Sequence, residues 1–87
     1  MRLDLFLKIS RLIKRRTLAK EYCEKGLVKV NGEVGKPGKK VREGDIIELE
    51  TPEGYRKVEI LKIPSGNVSK KEASSLYRIL EERRWLE

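Results

Sequence analysis

Gly26-Leu27-Val28-Lys29-Val30-Asn31-Gly32 decides the fold. Leu27-Val28-Lys29-Val30 alternates apolar and polar side chains among β-branched residues, which predicts a short strand with one face buried. Asn31-Gly32 follows it, and both central positions of a type I′ hairpin turn need a positive φ that Asn and Gly supply best. Glu33-Val34-Gly35 then predicts a short return strand. Upstream, Gly26 is placed to stop a helix, because the residue just past a helix end often takes the left-handed conformation. Leu18 with Tyr22, and Ala19 with Cys23, share faces at a spacing of four, so a helix is expected over Thr17–Lys25 with Thr17 as its N-cap.

Further out the same reasoning holds on both sides. Leu3, Phe6 and Leu7 recur at helical spacing and predict a helix over Leu3–Ile9, with Asp4 in the first turn where a carboxylate suits the helix dipole. Downstream, Val41-Arg42-Glu43-Gly44-Asp45 reads as a turn into a strand over Ile46–Glu50. Thr51-Pro52-Glu53-Gly54 turns the chain again into a strand over Tyr55–Ile63. Pro64-Ser65-Gly66-Asn67 is a break, placing one domain over residues 1–64 and a C-terminal segment over 65–87, packed on it or extending it. Ser69 with Glu72 forms a capping box, and Ala73, Leu76, Tyr77 and Leu80 suggest a final helix from Lys70 to Arg84. The expected architecture is α+β: two N-terminal helices packed on a small antiparallel sheet, plus a C-terminal helix.

Charge divides the chain unevenly. Residues 1–42 hold 13 Lys and Arg against 4 Asp and Glu, whereas residues 43–87 hold 8 against 10. The whole +7 excess therefore belongs to the first half, as expected of a protein whose partner is a polyanion or an acidic membrane surface. A chain of 87 residues buries a modest core, so a deep catalytic cleft is not expected. There is no histidine and one cysteine, which removes the usual general base, any internal disulfide and any multi-cysteine metal site. The sequence shows no Gly-rich phosphate loop and no spaced ligand set. No cofactor, no metal and no enzymatic activity are expected. No apolar run is long enough to span a bilayer, and Asp4 and Lys8 interrupt the N-terminal one, so a cytoplasmic setting without membrane attachment is expected.

The basic residues concentrate in Arg11-Leu12-Ile13-Lys14-Arg15-Arg16-Thr17, between the two helices, with Arg2, Lys8 and Lys20 nearby. Lys14, Arg15 and Arg16 precede the second helix, where cations oppose its dipole. Local stability does not ask for them there, so they are assigned to phosphate binding, with exposed N–H groups at the helix start adding to the site. Arginine's planar fork grips phosphate at two points and stacks on bases. Lys36, Lys39 and Lys40 lie in a Pro/Gly loop suited to loose backbone contact or to solvation alone. Asp4 has two readings, a dipole role in the first turn and a carboxylate that orients Arg16 or another arginine. Tyr55, Tyr77 and Trp85 form no evident stacking cluster, so recognition by shape and phosphate is expected over sequence reading.

Arg2-Leu3-Asp4, then Arg16-Thr17-Leu18-Ala19, then Gly26 to Gly32, then Lys36-Pro37, then Val41-Arg42-Glu43-Gly44-Asp45 together resemble the RNA-binding domain named after ribosomal protein S4, over residues 1–50. Within it, the whole chain is similar to small stand-alone bacterial members, a ribosome-associated heat-shock type and a shorter ribosome quality-control type. The heat-shock type carries a longer basic tail, and the end at Glu87 after a mixed-charge segment favours the shorter type. The resemblance implies an adaptor that docks on large ribosomal subunits still carrying a stalled peptidyl-tRNA, touching ribosomal RNA and tRNA. It implies a partner factor of the RqcH type, which extends the stalled chain with alanine; a monomer is expected. Carried over by position, Arg2 and Arg16 are the implied RNA contacts, with Asp4 beside them. The alternative is a general rRNA- or tRNA-binding heat-shock-type protein with no part in tailing. From other classes, the rivals are a peripheral membrane protein and a metal-dependent nuclease.

Overall fold

The hairpin at Asn31-Gly32 forms as its residues require, with φ of 52° at Asn31 and 87° at Gly32. It joins β1 (Val28–Val30) to β2 (Glu33–Val34) as antiparallel neighbours. Asn31 also ties this hairpin to the next strand. Its Oδ1 accepts from the Ile46 N–H at 2.9 Å and its Nδ2 donates to Asp45 at 3.1 Å. The computed structural model describes residues 1–85 and adds α1 (Leu3–Ile9), α2 (Arg16–Glu24), β3 (Ile46–Thr51), β4 (Gly54–Ile60), α3 (Lys70–Ala73) and β5 (Tyr77–Arg84). The strands make one antiparallel sheet in the order β2-β1-β3-β4-β5.

One face of that sheet meets the helices. Val28, Val30, Ile47, Leu49, Val58 and Ile60 pack with Leu3, Phe6 and Leu7 of α1 and with Ala19 and Cys23 of α2 in a single core. Burying each of the large apolar side chains is worth about 1.5–3 kcal/mol, so the core that fixes the helices on the sheet rests on few residues. Gly35 lets the chain leave β2 across this core: a Cβ there would lie 2.7 Å from Leu3 Cδ2. The other face of the sheet carries the register Lys29–Glu48–Lys57–Glu81 across four strands, with opposite charges at each step.

Two boundaries differ from expectation. The second helix starts at Arg16, not Thr17, and its N-cap is Arg15, whose side chain gives no capping hydrogen bond. Arg16 takes the first helical position, with its guanidinium 3.5 Å from the Asp4 carboxylate. The strand expected to reach Ile63 ends at Ile60, whose N–H and C=O are taken by Asp45 and Gly44 at the neighbouring turn.

The long C-terminal helix is the larger correction. The Ser69–Glu72 capping box forms as expected, but α3 lasts four residues. A 3₁₀ turn over Ser74–Leu76 follows, and Tyr77–Arg84 is a strand. Ser74 and Ser75 donate their hydroxyls back to the carbonyls of Lys71 and Glu72, the local bonding by which serine competes with a continuing helix. Beyond them the free edge of β4 offers a full ladder of backbone partners, and tertiary pairing overrides the helical spacing of Tyr77 and Leu80. Ala73 and Leu76 are buried, whereas Leu80 is exposed. Lys57 opposes Glu81 and Val58 opposes Ile79, so Leu80 is the extra residue of a β-bulge. Bulge and charges together blunt an edge strand against pairing with other chains. The end of the expected C-terminal segment, Leu86 and Glu87, lies outside the described residues.

Candidate nucleic-acid interface

Three segments far apart in sequence meet at the start of α1. The loop of Lys36 to Lys40 is strapped to the N-terminus by backbone bonds: Leu3 N–H to Lys39 O at 2.7 Å, Asp4 N–H to Pro37 O at 3.1 Å and Val41 N–H to Met1 O at 2.9 Å. Arg2 and Lys40 stand opposite each other as an isolated β-bridge. The loop carbonyls thus occupy N–H groups at the start of α1, leaving the Asp4 carboxylate for other partners. It accepts from the Leu5 N–H at 2.8 Å and holds two arginines, Arg2 by a two-point contact at 3.2 and 3.3 Å and Arg16 at 3.5 Å.

This cluster is asymmetric in exposure. The Asp4 side chain is 3% exposed, while those of Arg2 and Arg16 are 52% and 47% exposed. Both guanidinium groups therefore have one edge on the carboxylate and another in solvent. Burial alone would raise the Asp4 carboxyl. The Arg2 hydrogen bond, the charges of Arg16 and Arg2 and the Leu5 N–H outweigh it and hold the group below its ordinary value of 3.8. One anion stays ionised beneath two cations, which keeps like charges adjacent and leaves the cluster a net positive charge.

The remaining basic residues surround this point or extend from it. Arg11, Lys14, Arg15, Lys20, Lys36, Lys39 and Lys40 are all exposed, and among the described residues none of them makes an ion pair. Arg15 and Arg16 open α2, whose start has no side-chain cap. Arg11 is held at a φ of 62° just after the C-cap of α1, where glycine is the usual residue. The structure thus brings Arg2, Asp4 and Arg16 into direct contact and sets the 36–40 loop against them. It places Arg11 and Lys14 in the α1–α2 connection and Lys20 on α2, without contact to Asp4.

Composition and spacing leave the loop lysines evenly placed between backbone contact and solvation, and their strapping to Arg2 comes from the packing of two segments. Gly38 lies against the Arg2 guanidinium, but a Cβ there would make only an ordinary contact at 3.8 Å from Arg2 Cζ, so the glycine does not announce the strapping. The aromatics form no stacking platform among the described residues. Tyr55 donates its hydroxyl to Glu48 at 2.6 Å and lies under Arg83, while Trp85 donates its Nε1–H to Thr51 O at 2.8 Å. Cys23 is buried, and burial first, then Asp4 and Glu24, push its thiol up to about 11, far from a reactive thiolate. No helix is long and apolar enough to cross a membrane among the described residues.

Residues 1–47 match the S4 domain family. A Halalkalibacterium halodurans protein named RQC P-site tRNA stabilizing factor is 52% identical over 82 residues, which are 94% of this chain and 92% of that protein. A heat shock protein 15 homologue of Aeromonas salmonicida is 36% identical over 93% of this chain and 61% of its own length. Among solved structures, the trimeric Vibrio cholerae heat shock protein 15 superposes with a TM-score of 0.83 at 37% identity, covering 91% of this chain and 80% of that one.

Proposed function

Because this chain belongs to the S4-domain family and, within it, to the RQC P-site tRNA stabilizing factors, we propose that it is an RNA-binding adaptor of ribosome-associated quality control. It docks on large ribosomal subunits that retain a stalled peptidyl-tRNA and contacts ribosomal RNA and tRNA with its helical face. The observation that carries this reading is the Arg2–Asp4–Arg16 cluster, two half-exposed guanidinium groups fixed by one buried carboxylate amid unpaired cations. Such an array suits phosphates held at fixed positions on folded RNA, where bidentate arginine contacts add geometry to charge. The role needs binding and placement alone, so we assign the protein no catalytic step and a cytoplasmic site of action. A monomer and a factor of the RqcH type complete the proposed arrangement.

A second reading, a heat-shock-type RNA-binding role without tailing, is favoured by the fold likeness to the Vibrio protein. Recovery of the tagged protein from its own cells, at low and raised salt, separates the two. Large subunits with bound tRNA and an RqcH-type factor are expected, and Arg16→Ala should lose them while keeping the fold. Recovery of those particles without the tailing factor would support the second reading. Recovery of free tRNA, another RNA or lipid instead would overturn the ribosomal role.

A further inference from the structure

Ile60 ends β4, Tyr77 starts β5, and the two residues pair directly. Antiparallel neighbours can be joined by two residues, yet residues 61–76 make the connection here. Ala73 and Leu76 are buried, and Ile63 and Val68 pack against the core. The lysines of the segment have no part in that packing. Residues 43–87 carry six acids over 43–60 and four over 72–87, whereas residues 61–71 hold Lys62, Lys70 and Lys71 and no acid. All three lysines are exposed, and none makes an ion pair among the described residues. Glu72, which follows them, is committed to the capping box and accepts from the Ser69 N–H at 3.2 Å. Hydrogen bonding from Ser69 first, and then the charge of Lys62, hold its carboxyl below the ordinary 4.5.

Backbone contacts join this segment to the arginine cluster. Gly44 donates to Ile60 O at 2.8 Å and Ile60 donates to Asp45 O at 2.9 Å, which sets the 42–45 turn beside the start of the segment. Val41 donates to Met1 O, and Lys40 stands opposite Arg2. Arg2, Lys40, Arg42 and Lys62 thus follow one another along touching segments. Of the acids on this path, Asp45 is taken up by Asn31 and the Arg42 N–H, Glu72 by its cap, and Glu43 is exposed.

We propose that Lys62, Lys70 and Lys71 form a second contact strip for the same RNA, holding phosphates beyond those gripped at Arg2 and Arg16. The strip rests on the RNA-binding reading above and extends it past residues 1–47, the part that matches the S4 family. Three observations favour RNA over a protein partner. The strip continues from the arginine cluster through segments in contact. Its cations are lysines, point charges on flexible stems that suit phosphates along a backbone and read no bases. Leu61 apart, its apolar side chains pack on the core, so it lacks the apolar centre of a protein–protein interface.

The test measures binding of the intact protein to a tRNA and to purified large ribosomal subunits in several salt concentrations. Lys62→Gln, Lys70→Gln and Lys71→Gln together should weaken binding to at least one of them by about tenfold. The slope of log affinity against log salt should fall by about two to three. Arginine at the same three positions should keep both at the wild-type level. Lys57→Gln, Arg78→Gln and Arg83→Gln remove the same charge from β4 and β5 and should change neither. Thermal unfolding of the lysine variants should match wild type, because these side chains pack on nothing in the core. Unchanged binding of both RNAs by the lysine-to-glutamine variant, or an equal loss in the β4–β5 variant, overturns the strip. Loss of a co-purifying protein with RNA binding intact would also overturn it and assign the lysines to that protein. An Arg16→Ala protein that binds as well as wild type would instead overturn the underlying interface.

Discussion

The helical face and the β4–β5 ribbon are both rich in charge, yet they use it in opposite ways. On the ribbon nearly every cation faces an acid. Arg56 pairs with Glu82, Arg78 with Glu59 and Arg83 with Glu81, and Lys57 stands between Glu48 and Glu81 in the register. On the helical face two arginines share Asp4, and Lys8, Arg11, Lys14, Arg15, Lys20, Lys36, Lys39 and Lys40 have no acidic partner among the described residues. Alternating charges cancel within a few ångströms and keep an edge strand soluble. Segregated ones sum to a field that attracts a polyanion and is screened by salt. The difference teaches that placement, more than the amount of charge, distinguishes the side we propose for RNA binding.

The largest effect should come from removing both arginines on Asp4. Each charge-assisted contact is worth roughly 1.5–3 kcal/mol, so Arg2→Ala with Arg16→Ala should lower RNA affinity by about a hundredfold or more. The slope of log affinity against log salt should shrink by about two phosphate contacts. Removing Arg78 from the ribbon should leave affinity and slope unchanged. A titration in several salt concentrations reads both quantities, and equal losses from the two regions would break the contrast.

Asp4 provides the next test. Its folded-state value is held below the ordinary 3.8, so its stabilising contribution is present above that value and is lost as pH falls through the folded one. Wild-type protein should therefore lose stability in acid below pH 3.8 by a step that Asp4→Asn does not show. At neutral pH the variant should be less stable by about 1–3 kcal/mol, because the charge is lost and one of the two oxygens that face the arginines becomes an amide donor. Urea unfolding across pH gives both numbers, and an unchanged acid limb in Asp4→Asn would remove the carboxylate from the account.

Arg11 sharpens the comparison from the stability side. A non-glycine residue at φ 62° is strained by roughly 1–2 kcal/mol, partly offset by glycine's greater freedom in the unfolded chain. Arg11→Gly should thus stabilise the protein by about 0.5–1 kcal/mol while weakening RNA binding severalfold. A gain in stability with no loss of binding would show that the strained position serves no contact.

Legibility in the sequence followed the range of the interactions. Asn31-Gly32 specifies its turn through its own φ preferences, and Leu3, Phe6 and Leu7 specify α1 through spacing, so both were readable. That the cations of the α1–α2 junction stand exposed was readable because they have no local partner to call them there. Tyr77–Arg84 was not. The Ser69–Glu72 box announces a helix truthfully for one turn, and the strand that follows depends on the open edge of β4, whose Ile60 and Gly54 pair with Tyr77 and Arg84 far along the chain. The same holds at the interface. Arg2 beside Asp4 is a neighbour relation, whereas Gly38 against Arg2 and Arg16 on Asp4 exist through the packing of three segments. Spacing rules see periodicity within an element and do not see which edges remain to be paired.

The smallest expected effect tests the comparison most directly. Lys57 sits on the outer face opposite Glu48 on one side and Glu81 on the other. Cross-strand pairs of opposite charge contribute roughly 0.2–1 kcal/mol each, and exposed ones fall at the low end. Lys57→Ala should then cost about 0.5 kcal/mol in urea unfolding and nothing in RNA affinity, although it removes the same unit of charge as Lys14→Ala. If net charge alone drew RNA to this protein, the two variants would weaken binding alike and the salt slope would fall equally in both. A loss confined to Lys14→Ala would mean that the RNA meets the helical side and does not sense the ladder on the far face.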